Sequence, residues 1–505
     1  MRLITVLLAL LLAGPALAEW KVAETANFRL YSTGSERDLV AQAAELEDYL
    51  ALVRSVTGRE SPPGPPLSIY MVRNPQEAGE SSGAATWLGN YRADRGGILL
   101  FSRPRDMGRD RVRFSASHVR QLLVAYHELR AGGPVVFPSW FFHGLAEYLS
   151  TAELEPGRIE LGRVNLNRAM ALRQGEAWWL SAIDLITMSP SSLGSEEARS
   201  RYMSQSWLLT HYLLRTPEMQ PHLMAYLRRV GRGEDVLSAW KAEPGLPDVA
   251  LLNSVLQRYA QSRRMTFTRV ARDPATSATV RVRELPPSAA RLLLPMARLE
   301  VGGPEEWVGD AAAAVRAAAA GHPGDALAER ALALADLRTG NREPARARID
   351  RLLAAEPQDA SLLRWRAESH DALASVAAMR AARIDFVAAF AADPEDWRTI
   401  AAYAQLFRPR ERPVPQSVLD ALERAYLQAP QVSPLAIDYG AALALAGRVE
   451  EAALVLRPVV FFGGPQGAGA MPLYHAVLAR IRGEAGPNWP LPAPALHAQE
   501  PAQAR

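Results

Sequence analysis

Along the first 300 residues the apolar positions change period several times, and the changes read as an α+β order of elements. Within Trp20 to Ser32, Phe28, Leu30 and Tyr31 mark a strand. Ser35-Glu36 then opens an amphipathic helix to about Val56, with Leu39, Ala43, Leu46, Tyr49, Leu50 and Val53 on one face. Pro62-Pro63-Gly64-Pro65-Pro66 is a turn, Leu67 to Val72 a compact strand, and Ile98 to Phe101 a further strand after a Gly-rich span. A helix over Phe114 to Leu129 follows. Gly157 to Gly162 reads as a hairpin, and Tyr202 to Leu214 as a dense apolar helix in which His211 is a core histidine. From Met265 to about Glu300 the pattern alternates, as in Thr279-Val280-Arg281-Val282, with Pro286-Pro287 between strand candidates. This span is expected to be a small sheet or linker.

From about Pro304 the chain turns Ala-rich and repeats. Pro323, Pro357, Pro394, Pro430 and Pro465 stand 34, 37, 36 and 35 residues apart, close to the period of tetratricopeptide repeats. The clearest unit has Gly340, Ala345 and Pro357, and a later copy has Gly447 and Ala452. Gly ends a first helix, a small Ala admits the second helix closely, and Pro stops it. These units resemble tetratricopeptide repeats.

Composition narrows the setting. Arg2, the apolar run Leu3 to Leu12 and Ala16-Leu17-Ala18 form a secretory leader, with cleavage expected near Ala18 and a periplasmic or secreted mature protein. The run is too short to anchor in a bilayer, and no later stretch is long and apolar enough, so no integral membrane segment is expected. The absence of cysteine excludes disulfides and thiolate metal sites. Lys and Arg total 57 against 54 Asp and Glu, without a basic block, which argues against nucleic-acid binding. The expected division is a leader over 1–18, an α+β domain over 19–275, a linker or small sheet over 276–303, helical repeats over 304–482, and a disordered tail over 483–505.

The candidate chemistry lies in Ala116 to Ser150, where an apolar helix meets the corner Pro138-Ser139-Trp140 and a second helix opens at His143-Gly144-Leu145-Ala146-Glu147-Tyr148. With Phe28-Arg29-Leu30-Tyr31-Ser32 and Ser206-Trp207 beside His211-Tyr212, this layout resembles the bacterial peptidase-MA-like domains of DUF1570 type. Those fuse a gluzincin-like fold to tetratricopeptide repeats. The resemblance implies a zinc peptidase whose first helix carries His-Glu-x-x-His and whose second supplies a Glu ligand. In one register Ala116, Ser117 and Arg120 replace the first His, the Glu and the second His, and His143 replaces the third ligand. A shifted register keeps His127 and Glu128 and loses the second His. Either way the conventional ligand set is incomplete.

A rebuilt zinc site from His127, His143 and Glu147 is the alternative. His118 is another possible third ligand, although nine residues separate it from His127 and set the two on opposite sides of one helix. The preferred expectation is a pseudoenzyme without cofactor: Trp140, Gly144, Glu147 and Tyr148 line a vestigial cleft, and Arg120 pairs with Glu147 in place of the metal. The repeats would then bind a protein or peptide in their groove. No nucleophile motif of the G-x-S-x-G or S-x-x-K kind, and no phosphate loop, supports another hydrolytic chemistry.

Overall fold

The computed structural model describes residues 19–60, 66–72, 91–94, 97–102, 119–124, 126–128, 130–131, 137–155, 157–175, 178–262, 265–271, 278–372, 374–406, 414–462 and 464–484. The expected leader, Ala116, Ser117, His118 and the tail beyond Glu484 lie outside them. The chain is mostly helical, with a small mixed sheet toward the N-terminus and a helical C-terminal region.

Five strands come first: β1 (Lys21–Glu24), β2 (Phe28–Ser32), β3 (Leu67–Met71), β4 (Tyr91–Asp94) and β5 (Gly97–Ser102). Four more, β6 (Glu153–Glu155), β7 (Arg158–Leu161), β8 (Thr268–Ala271) and β9 (Arg281–Glu284), come later. The main sheet has the order β4-β5-β3-β2-β1-β9, and β6-β7-β8 form a second. In the main sheet β2, β3 and β5 run parallel, while β1 pairs antiparallel with both β2 and β9. The alternating pattern divides the sheet cleanly. Phe28, Leu30, Leu67, Ile69, Met71 and Leu100 enter one core, and Tyr31, Tyr70 and Val72 point to the other face.

Helix α1 (Glu36–Thr57) covers the first face. Its start is fixed by Ser35, whose side chain accepts from the Asp38 N–H, and its end by Gly58 at φ +64°. Residues 119–124, 126–128 and 130 are helical and share that core through Val119, Leu123, Val124 and Tyr126. The remaining helices of this half are α2 (Ser139–Ser150), α3 (Leu166–Ala171), α4 (Ala182–Thr187), α5 (Glu196–Arg215), α6 (Gln220–Gly231), α7 (Val236–Lys241) and α8 (Val249–Gln261).

The span expected to be a linker or small sheet is divided among three elements. β8 joins the second sheet, β9 closes the edge of the first, and Ala289–Val301 is a helix, α9. After it come α10 (Glu305–Ala319), α11 (Ala326–Arg338), α12 (Arg342–Ala355), α13 (Ala360–Ser369), α14 (Val376–Ala392), α15 (Trp397–Gln405), α16 (Gln416–Gln428), α17 (Ser433–Leu445), α18 (Val449–Phe462) and α19 (Gly464–Ile481). They pack as successive hairpins, α9 with α10 through α17 with α18, and α19 packs on the last. Pro323, Pro357, Pro394 and Pro430 each follow the second helix of a pair, while Pro465 falls in the first turn of α19.

Gly340 and Gly447 make the same turn. Both have positive φ, +82° and +85°, and the N–H of the next residue reaches back to Asp336 O in one and Leu443 O in the other. Ala345 and Ala452 are fully buried against the preceding helix.

The hairpin stack is not separate from the sheet. Ala297 and Val301 of α9 cover Tyr70 and Val72, with Tyr31, Leu293 and Leu294 packed around them. Farther along, Ala93 of β4 is buried with Trp397, Ile400 and Leu435 from α15 and α17. Three of the first helices, α9, α15 and α17, thus pack on the sheet that precedes them in the chain. The expected boundary at 304 falls inside a hairpin, because Leu292, Met296 and Leu299 of α9 share a core with Ala311, Ala312 and Val315 of α10.

Candidate functional site

Helix α2 begins at Ser139, directly after the Pro138 corner, so His143 lies in its second turn and not at its opening. Its sequence, SWFFHGLAEYLS, is apolar on nearly every side because the helix is buried on nearly every side. Trp140 is fully buried, and its indole N–H donates to Tyr226 Oη at 3.2 Å. Gly144 is the contact point with α5: a Cβ there would fall 2.2 Å from Thr210 Oγ1 and 2.3 Å from the Ser206 carbonyl oxygen. The two helices leave no room between them at that level.

Glu147, one turn on, is buried with both carboxylate oxygens occupied. Asn165 Nδ2 donates to Oε2 at 2.9 Å, and Arg168 Nη2 to Oε1 at 2.5 Å. Asn165 also caps α3 through its Oδ1, which accepts from the Arg168 N–H. Tyr148 packs on His211 at 5.7 Å between centroids and on Gly162, where a Cβ would meet its hydroxyl at 2.6 Å. The core position expected for His211 is the observed one. Its Nε2–H donates to the Gly162 carbonyl at 2.9 Å, and Nδ1 accepts from Tyr259 Oη at 2.7 Å. That pattern requires the neutral ring, and burial lowers its pKa to about 4. His143 packs edge-on to Phe142 and Tyr202, and burial lowers its pKa to about 4 as well.

Arg120 does not pair with Glu147. Its guanidinium donates to Glu45 Oε1 at 2.8 Å and to the carbonyls of Ala152 at 2.7 Å and Ser150 at 3.3 Å, over the ring of Tyr49. The reason is the rotation of α2, which turns Glu147 toward α3 and presents its C-terminal carbonyls to Arg120. A cation at the negative end of a helix is favoured there.

His127 and Glu128 meet the end of α1. His127 Nε2 lies 3.3 Å from Thr57 Oγ1, and Glu128 Oε2 accepts from Arg59 Nη1 at 2.8 Å. His127 Nδ1 and Glu128 Oε1 are buried without a hydrogen-bond partner. Burial first, then the charges of Arg54 and Arg59, lower the His127 pKa to about 4, while burial raises that of Glu128. Arg130 adds a third guanidinium to the surroundings of His127.

The zinc alternative does not fit these residues. Glu147 is held by Asn165 and Arg168, and three guanidinium groups oppose a divalent cation at His127. Among the described residues no three His, Asp or Glu side chains converge as a metal site. No described helix is long and apolar enough to cross a membrane. Sequence reasoning missed Glu45, Thr57, Arg59, Asn165 and Arg168, the residues that contact Arg120, His127, Glu128 and Glu147. Only Asn165 carried a signal, as a helix cap ahead of Leu166. No protein-family profile, curated protein or solved structure matches the chain.

Proposed function

We propose that this chain is an exported binding scaffold: a gluzincin-like half without catalytic function, joined to tetratricopeptide-like hairpins that receive a protein or peptide. The observation that carries the reading is the internal pairing of the polar groups at the candidate site. Arg120 pairs with Glu45, Glu147 with Arg168 and Asn165, and His211 with Gly162 and Tyr259. A hydrolytic site keeps at least one acid or base facing its substrate, whereas each of these three groups is held by its own partners within the chain. Stacked helix pairs supply extended apolar surface of the kind that binds polypeptide.

The test is metal content and proteolysis on the purified mature chain. Mass spectrometry after mild dialysis should find less than stoichiometric zinc, and a chelator should leave the melting temperature unchanged. A bound zinc would add several kcal/mol of linkage, about 4 kcal/mol at a thousandfold excess over Kd. Zinc-dependent cleavage of casein, lost on Glu128→Gln, would replace the scaffold reading with the peptidase alternative.

A further inference from the structure

β9 is the edge strand at the end of the main sheet opposite β4, with β1 beside it and no strand beyond it among the described residues. Register and hydrogen bonding fix which of its groups face outward. The Leu285 N–H donates to the Trp20 carbonyl at 2.9 Å. In this antiparallel pair the residues bonded to β1 are therefore Leu285, Arg283 and Arg281, and the N–H and C=O of Val282 and Glu284 point away from the sheet. The side chains alternate as well. Val282 lies opposite Ala23 and, with Val280, packs on the rim of the first core without being fully buried. Arg281 and Arg283 stand on the other face, opposite Glu24 and Val22, and both are exposed. Glu24 lies 3.6 Å from Arg29, and Arg281 and Arg283 enter no ion pair among the described residues.

We infer that β9 is a docking edge for an extended, acidic polypeptide segment of another protein, which adds to the main sheet as a further strand. Backbone pairing at Val282 and Glu284 supplies the attachment, and the two rows of side chains supply the selection. A strand laid beside β9 in either direction sends alternate side chains to the face of Arg281 and Arg283, where carboxylates are favoured. The others go to the face of Val282, where aliphatic side chains extend the rim of the core. The segment is therefore one that alternates Glu or Asp with Val, Ile or Leu. A second copy of this chain does not meet the condition. Two β9 strands paired antiparallel about Val282 set Arg281 of one opposite Arg283 of the other, and like charges at opposed positions repel. Charged side chains commonly guard an exposed edge, and here the same arginines that keep copies apart select the sign of the partner. The surface belongs to the sheet and not to the hairpins, so the inference goes beyond the scaffold reading and does not depend on it.

The probe is a fluorescein-labelled, amidated octapeptide that alternates glutamate and valine, titrated against the full chain and read by anisotropy. The parent chain should bind it about tenfold more tightly than the same peptide with lysine in place of glutamate. Arg281→Glu combined with Arg283→Glu should reverse that order. N-methylation of alternate peptide amides removes the donors of the added strand and leaves its charge, and should lower the affinity about tenfold. Glu284→Pro deletes an outward N–H and none of the bonds to β1, and should weaken binding in the same way. Where a variant does not fold, residue-resolved hydrogen exchange of the parent decides. Excess peptide should slow the amides of Val282 and Glu284, while those of Arg281, Arg283 and Leu285, already bonded to β1, should change less. Equal affinity for the glutamate and lysine peptides, or binding without protection at Val282 and Glu284, would overturn the inference.

Discussion

Gly144 stands so close to Thr210 that a methyl group cannot be added without moving a helix, since the Ser206 carbonyl blocks the same space at 2.3 Å. Overpacking against backbone is not relieved by a rotamer change. Gly144→Ala should therefore cost about 3 kcal/mol. Gly309, inside α10 with nothing within 4 Å of its Cβ position, gives the contrast. There Gly309→Ala should stabilise by about 1 kcal/mol through helix propensity. Urea midpoints of the two variants should move in opposite directions.

The Glu147–Arg168 pair should respond asymmetrically. The Arg168 side chain keeps 25% of its surface exposed and that of Glu147 only 3%. Removing the acid leaves an arginine that can reach water, whereas Arg168→Ala strands a buried carboxylate. Arg168→Ala should cost about 3 kcal/mol and Glu147→Gln about 1 kcal/mol. A double-mutant cycle in urea measures the coupling. Equal costs would mean that the pair is exposed in solution.

Acid should weaken the fold through three histidines. His127, His143 and His211 have pKa values of about 4 in the folded chain, against about 6.5 when unfolded. The unfolded chain therefore binds more protons between these values. The contribution of the neutral rings is complete above about pH 6.5 and is lost as pH falls toward 4, by at most about 3 kcal/mol for each ring. Glu368 and Asp396 add loss in the same direction at lower pH. Although burial works to raise both pKa values, Arg338 and Arg364 hold Glu368, and Arg398 and Arg364 hold Asp396, below the usual carboxylate range. Unfolding in urea at pH 7.5 and 5.0 measures the slope, and His211→Gln should reduce it by about one proton.

Elements with local punctuation were legible in the sequence. Ser35 and Gly58 bracket α1, and Gly340 and Gly447 mark hairpin turns by conformations that only glycine adopts readily. α9 was not legible. Pro286-Pro287 read as a break between strand candidates, and the apolar residues of the helix serve two cores: Leu292, Met296 and Leu299 face the hairpins, while Leu293, Leu294, Ala297 and Val301 face the sheet. A helix buried on two sides shows no single stripe. At the candidate site the residue types drew attention to Glu147 and Arg120, but their partners could not be read. Arg168 is 21 positions from Glu147 and Glu45 is 75 from Arg120, and no periodicity links residues so far apart.

The double role of α9 fixes where the hairpin stack can be cut. A fragment beginning at Pro304 omits Leu292, Met296 and Leu299, and leaves the apolar side of α10 bare. It should melt broadly and bind a hydrophobic dye. A fragment beginning at Pro286 restores those contacts and should melt cooperatively, with a helical circular-dichroism spectrum. Equal melts for the two would mean that α9 belongs to the sheet alone.

β1 is hydrogen-bonded on its outer side to β9, Lys21 opposite Glu284 and Glu24 opposite Arg281. β1, the first of the described strands, therefore gains its outer neighbour only from β9, the last of them before the helical hairpins. Until residue 284 has emerged, the outer margin of β1 lacks its neighbour, while β2 can already pair on the inner side. A pairing across about 260 residues is slow to close, because the loop entropy is lost before the strand contacts are gained.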